Sequence, residues 1–462
     1  VHGDNFMGGD TRPIMPVKHP DGNWAGQGDF TNFPAILEDG GSRLTNKNDL
    51  WNTITMKLTP IKGMSINMDY TFNYYSENNK VHMKSFDEYG ANGQFLQTFA
   101  WTNPNSVSQS QANDTYNAFN FFGDYEKTLG KHYLKGMIGY NQESKHTTGF
   151  NAGREQLISN DLGSLSYATG DRWVGSSDNS WATRSGFFRI NYGYDERYLL
   201  EVNGRYDLSS KFPKHDRAVF NPSFSAAWRL SNESWFKSWT NSFFDELKIR
   251  GSYGLVGSDE TGLSAGAQHF LYIDQVSLNN IGFTTGVDMN YTLYGPLVTN
   301  YAVVNGGWER VKKLDIGIDL ELFRQLTITA DYFNEKRYNI LLHREAWPES
   351  LGYYTAKPWS NKGKVDNWGI ELSVNWRKEF TKDLYVDFRG NFTYTENKYV
   401  NLDEPVYPYV WKTSTGKPLS RTTGYIAQGL FSSQEEIDNS PTQNLGSTVK
   451  PGDIKYRDVN GD

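Results

Sequence analysis

Cysteine is absent from the 462 residues, which excludes disulfide staples, thiol catalysis and thiolate metal sites and leaves the redox compartment undetermined. Positive charge is not in excess either. Lys and Arg number 46 against 53 Asp and Glu, for a net charge of -7, so the chain lacks the basic field that nucleic-acid binding depends on. No stretch approaches the roughly 20 apolar residues of a membrane helix. The mean hydropathy of -0.66 suits a soluble protein, but it carries no weight against a barrel, whose lipid-facing residues alternate with polar ones and cancel in any average. Proline is scarce, at 16 beside 44 glycines, and sustained helical periodicity is missing.

What the chain does have is aromatic residues, 15% of the total, with Tyr 29, Phe 27 and Trp 14. Together with the glycines they favour an all-β chain. In RQLTITADYF, Leu326, Ile328, Ala330 and Tyr332 take one face and Gln325, Thr327, Thr329 and Asp331 the other. The preceding strand sets Leu314, Ile316, Ile318 and Leu320 against Lys313, Asp315, Gly317 and Asp319, and a short turn near Phe323 joins the two as a hairpin. WGIELSVNWRKEF repeats the pattern with Trp368, Ile370, Leu372, Val374 and Trp376, and its partner LYVDFRGNFTYTEN with Leu384, Val386, Phe388, Phe392 and Tyr394. YLLEVNGRYD alternates likewise after FFRINYGY. About twelve such strands can be read, many near ten residues or longer, where globular strands average about five or six.

The connections alternate in length. Short turns are expected near 60–63, 129–131, 194–197, 323 and 380–383, and long polar loops near 77–113, 145–181, 257–308 and 340–366. Antiparallel strands place alternate connections at opposite ends, so one rim carries tight turns and the other long loops, as in bacterial outer-membrane barrels. The stretch 233–248, ESWFKSWTNSFFDELK, occupies a short-turn position and holds a helical turn in this reading, as a periplasmic excursion. A soluble sandwich alternates too, but long strands, two unequal rims and aromatics at strand ends, such as Tyr192, Tyr194, Tyr198, Trp368 and Trp376, favour an antiparallel transmembrane β-barrel. The competing class is a secreted or surface β-rich module that binds carbohydrate or mediates adhesion without transport.

The blocks RINYGYDERYLLEVNGRYDLSSKF, FNPSFSAAWRLSNESWF, LKIRGSYGLVG, WERVKKLDIGIDLELF, NKGKVDNWGIELSVNW, GLFSSQEEI and PGDIKYRDVNGD, in that order from about residue 183 onward, resemble the SusC/RagA family of TonB-dependent outer-membrane transporters of Bacteroidota. The resemblance implies a 22-stranded barrel with an N-terminal plug, coupling to the TonB complex through a TonB box, a SusD-like surface lipoprotein as lid, and a glycan or oligopeptide as cargo. It also implies that plug, TonB box and final strands lie outside the 462 residues. An open sheet with two unpaired edges cannot sit in lipid alone, so on this expectation the missing strands belong to the working molecule.

No catalytic constellation stands out. The eight histidines are scattered, with no pair at zinc-protease spacing beside a Glu. TSTGKPLS lacks the first glycine and the final Ser or Thr of a phosphate loop. Glu371 with Asp387 could mimic a glycosidase couple, but a polar barrel interior carries such pairs routinely. The expected reading is import, with no enzyme activity and no required cofactor. Two sets of residues are candidates for binding. Trp101, Trp173, Trp347, Tyr353, Tyr354 and Trp359 fall in the expected outer loops, where flat aromatic faces suit sugars or peptides, although packing against a lid protein or another loop would use them equally well. Asp458, Asn460 and Asp462 supply positions 1, 3 and 5 of a calcium loop. Half a loop lacks the ligand count of a full calcium site, so a polar turn is the simpler reading.

Overall fold

The computed structural model describes residues 16–26, 31–240, 244–260, 271–289, 291–303, 306–348, 350, 357–459 and 461. Twelve strands form one antiparallel sheet: β1 (Gly41–Leu58), β2 (Met64–Met83), β3 (Ser106–Leu129), β4 (His132–Glu155), β5 (Arg172–Tyr194), β6 (Tyr198–Ser209), β7 (Ala218–Arg229), β8 (Phe244–Ser258), β9 (Glu309–Leu322), β10 (Leu326–His343), β11 (Trp359–Thr381) and β12 (Leu384–Asn401). They lie in chain order, each bonded to the next, with β1 at one edge and β12 at the other. Among the described residues three short helices accompany them: α1 (Phe33–Asp39), α2 (Ser234–Thr240) and α3 (Gln434–Asp438).

One rim carries the connections 59–63, 130–131, 195–197, 230–243, 323–325 and 382–383; the other carries 84–105, 156–171, 210–217, 259–308 and 344–358. The two-rim pattern read from the sequence is the pattern of the fold. The tight turns Asp195-Glu196 and Phe323-Arg324 both place two consecutive residues at positive φ, 53° and 55° in the first and 55° and 55° in the second. That is the turn whose twist matches flanking strands, made here without the usual glycine. The expected helical turn at the one long excursion of this rim is α2.

The loops of the other rim are shorter than expected because the strands run on. β3 and β4 each span 24 residues, where a tilted membrane strand needs only about 9–11. Beyond Tyr116 and Tyr140 both faces become largely polar, Phe150 apart: Gln109, Gln111 and Asn113 on one face of β3, Ser108, Ser110 and Asp114 on the other. Without an apolar face there is no alternation to read, so these extensions pass for loop. Trp173 and Trp359, expected in loops, are therefore strand residues, at the starts of β5 and β11.

The ladder fixes which side chains share a face. One face gathers Ile54, Tyr70, Phe121, Ile138, Ile190, Leu200, Phe224, Ile249, Ile316, Ile370 and Phe388, all more than a third exposed. Buried hydrophobic clusters lie instead near the long-loop rim: Trp24, Ala35, Ile36, Phe86 and Phe99 in one, Val107, Leu157 and Ala168 in another. A single-layer sheet with so wide a bare apolar face needs a non-aqueous partner. The face is bordered by rings. Tyr198 and Tyr206, Phe220 and Trp228, and Trp368 and Trp376 each stand eight residues apart, about 26 Å along a strand and about 20 Å after a tilt of about 40°. That is close to the height of the lipid-facing band of an outer-membrane barrel, with its aromatic girdles.

Candidate functional site

The opposite face is polar and highly connected. Near the long-loop rim one ladder row crosses five strands as Trp51, Asn73, Tyr116, Lys145 and Trp181. Its rings touch in series, Trp51 to Tyr116 at 6.2 Å and Tyr116 to Trp181 at 6.4 Å between centroids. Lys211, just beyond β6, places its ammonium 5.5 Å from the centre of the Trp181 ring and is held by Glu260 at 2.8 Å and Asp259 at 3.5 Å. Below the row, Asp207 accepts from Ser185 Oγ and Arg205 Nε, both at 2.6 Å, and from Asn221 Nδ2 at 3.0 Å. Tyr116 donates to Glu143 at 3.1 Å. Trp181, Arg205, Asp207, Lys211 and Trp308 line an open cavity of about 550 Å³. Rings for stacking, beside hydrogen-bonding groups fixed by their neighbours, make a surface suited to a polar ligand with flat faces.

Toward the tight-turn rim a second cavity, of about 610 Å³, is lined by Tyr133, Asn191, Glu201, Lys248, Arg250 and Asp315 among others. Here Arg250 pairs with Asp331 at 2.6 Å, Asp315 at 3.1 Å and Asp319 at 3.3 Å, and Lys248 with Asp319 at 2.9 Å. Gly317 lies between Arg250 and Asp331 in the ladder. A Cβ there would overlap both the guanidinium and the Asp331 carboxylate, so the glycine leaves the gap through which Arg250 reaches across a strand.

Among the described residues, the aromatic side chains singled out in the sequence fall in three separate places. Trp101 lies in a short 3₁₀ turn of connection 84–105, exposed, 5.6 Å from Phe99. The Trp173 ring covers Gly153, where a Cβ would overlap it. Trp347 and Trp359 belong to one neighbourhood: Arg344 lies 4.9 Å from the Trp347 ring centre, and His343 packs on Trp359 at 3.6 Å. Tyr353 and Tyr354 lie outside the described residues. So do Asn460 and Asp462; Asp458 Oδ1 accepts from the Gly461 N–H at 2.7 Å, closing a turn. Glu371 faces Thr393 and Asp387 faces Arg377. The two carboxylates are thus offset by six residues, about 20 Å, too far for glycoside hydrolysis. Trp51, Tyr116 and Trp181 carry no motif that marks them in the sequence. Their signal is parity, since each takes the polar phase of its strand.

Asp403 ties the 344–358 loop to the segment after β12. It accepts from Arg344 Nε at 2.8 Å and Lys362 Nζ at 3.2 Å, and its carbonyl accepts from Ala346 N at 2.8 Å. Burial pushes its carboxyl up, but the hydrogen bonds and charges of Arg344 and Lys362 outweigh burial and hold it below the ordinary 3.8. A depressed carboxyl stabilises the joint fully above its ordinary value and loses that contribution as pH falls through the folded value. Acidification from about pH 6 to about pH 3 should therefore raise protease cleavage within 344–358, and Asp403→Asn should give the same sensitivity at neutral pH. Equal cleavage at both pH values would remove the joint.

The model of the TonB dependent receptor-like β-barrel family matches residues 8–457. The chain belongs to that family. This receptor barrel is an outer-membrane protein, and its apolar face is the lipid face. Among curated relatives, it is 26% identical over 424 residues to the TonB-dependent receptor SusC of Bacteroides thetaiotaomicron, covering 85% of this chain and 40% of that one. It is 26% identical over 353 residues to TonB-dependent receptor P3 of Formosa agariphila, covering 73% and 33%. Among solved structures, it matches the RagAB peptide importer in its 'open-open' state with a TM-score of 0.69 at 18% identity, covering 94% of this chain and 46% of that one. The receptor sequence thus spans less than half the length of each of these relatives, and the last likeness is one of fold. The family match takes in β1–β5 as well, where the sequence alone offers no recognisable block.

Proposed function

We propose that the chain forms about half of the wall of an outer-membrane importer that takes up a glycan or an oligopeptide. In this reading the polar face lines the barrel interior, a SusD-like surface lipoprotein closes the long-loop rim, and the TonB complex supplies energy. The observation that carries the reading is the division of one twelve-stranded sheet into a lipid-matched apolar face and a polar face with fixed rings, charges and cavities. A surface module that only adheres has no use for both. The likeness to SusC and to a peptide importer supports import as the class of activity. The aromatic row Trp51, Tyr116 and Trp181 is the proposed first contact for cargo below the rim, and Trp101, Trp173, Trp347, Tyr353, Tyr354 and Trp359 are the proposed contacts above it.

The test uses the full-length receptor in its own outer membrane. Detergent extraction should recover it with a surface lipoprotein, and disabling the TonB complex should stop uptake of labelled glycans or oligopeptides while surface binding persists. Trp181→Ala should weaken cargo binding about tenfold, on the order of 1.4 kcal/mol, without altering barrel assembly. Trp347→Ala with Trp359→Ala should weaken it as well. Uptake indifferent to both the receptor and the TonB complex would overturn the reading.

A further inference from the structure

Five of the six tight-turn connections are between two and five residues long, whereas 230–243 is not. Its described part, 230–240, is folded onto the lipid side. Glu233, buried at 5% exposure, accepts from the Tyr198 hydroxyl at 2.7 Å and from Trp228 Nε1 at 3.1 Å. Those two rings stack at 6.2 Å and 16° on the apolar face, and Tyr194 and His132 continue the row at 6.4 and 5.0 Å. This row is the lower aromatic girdle. Its polar atoms mark the level of the lipid headgroups, because Tyr and Trp at a membrane boundary keep the ring in the apolar zone and turn the polar tip outward. The other carboxylate oxygen of Glu233 accepts from Arg197 Nη1 at 2.8 Å, which pins the excursion to the neighbouring turn.

α2 begins at the next residue. Phe236 is its buried anchor, packed on Phe244 at 5.5 Å, while Trp235 and Trp239, one helical turn apart and on one side, are 54% and 78% exposed. Lys237, between them in sequence, falls on the opposite side of the helix and is also exposed. A short helix at headgroup depth with two bare indoles and a cation matches the way interfacial helices lie in a membrane surface.

We infer that α2 is an interfacial anchor whose Trp235 and Trp239 insert into the headgroup region of the phospholipid leaflet at the tight-turn rim. The occupant of this face is lipid, because the face continues the girdle that already meets lipid, and Glu233 sets its depth. The anchor fixes the tilt and height of β7 and β8 in the bilayer and is separate from cargo transport.

The test is a nitroxide label on Trp239→Cys in the full-length receptor, reconstituted in phospholipid nanodiscs, with Lys382→Cys as a water reference and Phe224→Cys, midway between the girdle residues Phe220 and Trp228, as a lipid reference. The 462 residues contribute no competing cysteine. The expected ratio of oxygen to nickel-chelate collisions at 239 is several-fold above that at 382 and below that at 224. A ratio equal to that at 382 would overturn the inference by placing the helix in water. Protection from both reagents would overturn it too, by showing that protein covers the helix. As a second readout, Glu233→Gln should move the ratio at 239 toward the water value, since the neutral side chain holds Arg197, Tyr198 and Trp228 less firmly; an unmoved ratio would remove Glu233 from the role of setting depth.

Discussion

Leu372→Arg is expected to destabilise the barrel by about 2–4 kcal/mol, the cost of a cation at the lipid-facing midplane, whereas Ser373→Arg, one residue along, should cost no more than about 0.5 kcal/mol. The difference follows from the ladder. Leu372 lies midway between Trp368 and Trp376, opposite Ala330 and Phe392, so its side chain meets the acyl chains. Ser373 lies opposite Thr329 and Asn391 on the other face, where a guanidinium finds water and acceptors. A loss of about 2–4 kcal/mol lowers the folding equilibrium constant roughly 30- to 1000-fold. It would be read as a lower urea midpoint in liposomes and a loss of heat-dependent gel mobility. Equal costs at the two positions would sink the two-face assignment, and a larger cost at Ser373 would reverse it.

That contrast also shows why the fold was so legible. Where lipid meets one side of a strand and water the other, each residue is selected by its parity, and the runs 314–320, 326–332 and 368–376 announce both the strand and its outer face. Parity fails wherever both sides meet water. The outer halves of β3, β4 and β5 therefore read as loop, although Gln109 pairs with Ala152 and Asn113 with Thr148 in unbroken register. The candidate site was less legible for the same reason. Trp51, Tyr116 and Trp181 are far apart in sequence, and only the registers of five strands bring them into one row. Loop aromatics such as Trp101 and Trp347 are conspicuous by composition, but composition does not say what packs on them. The Phe99 ring and the Arg344 guanidinium are the answers, and neither follows from spacing.

Arg250→Met should remove about 1–3 kcal/mol, less than the 3–5 kcal/mol of a fully buried broken pair because water reaches this group. The substitution leaves Asp315, Asp319 and Asp331 facing one another with Lys248 as the remaining cation of the cluster. Arg250→Lys should recover only part of the loss, since a single ammonium cannot fork between strands as a guanidinium does. The decisive comparison is Gly317→Val, which keeps every charge yet fills the gap Arg250 uses to reach Asp331. Its cost should match that of Arg250→Met in order of magnitude, and the double variant should cost little more than either alone, a coupling of about 0.5–3 kcal/mol in a double-mutant cycle. Additive costs would show that the glycine serves backbone packing and that the salt bridge across it is incidental. Coupled costs would mean that Gly317 serves the ion cluster. They would also set the lower cavity apart from the upper one, because an arginine whose Nε, Nη1 and Nη2 already meet three carboxylates stiffens the wall and leaves the stacking row around Trp181 as the part of the polar face free to meet cargo.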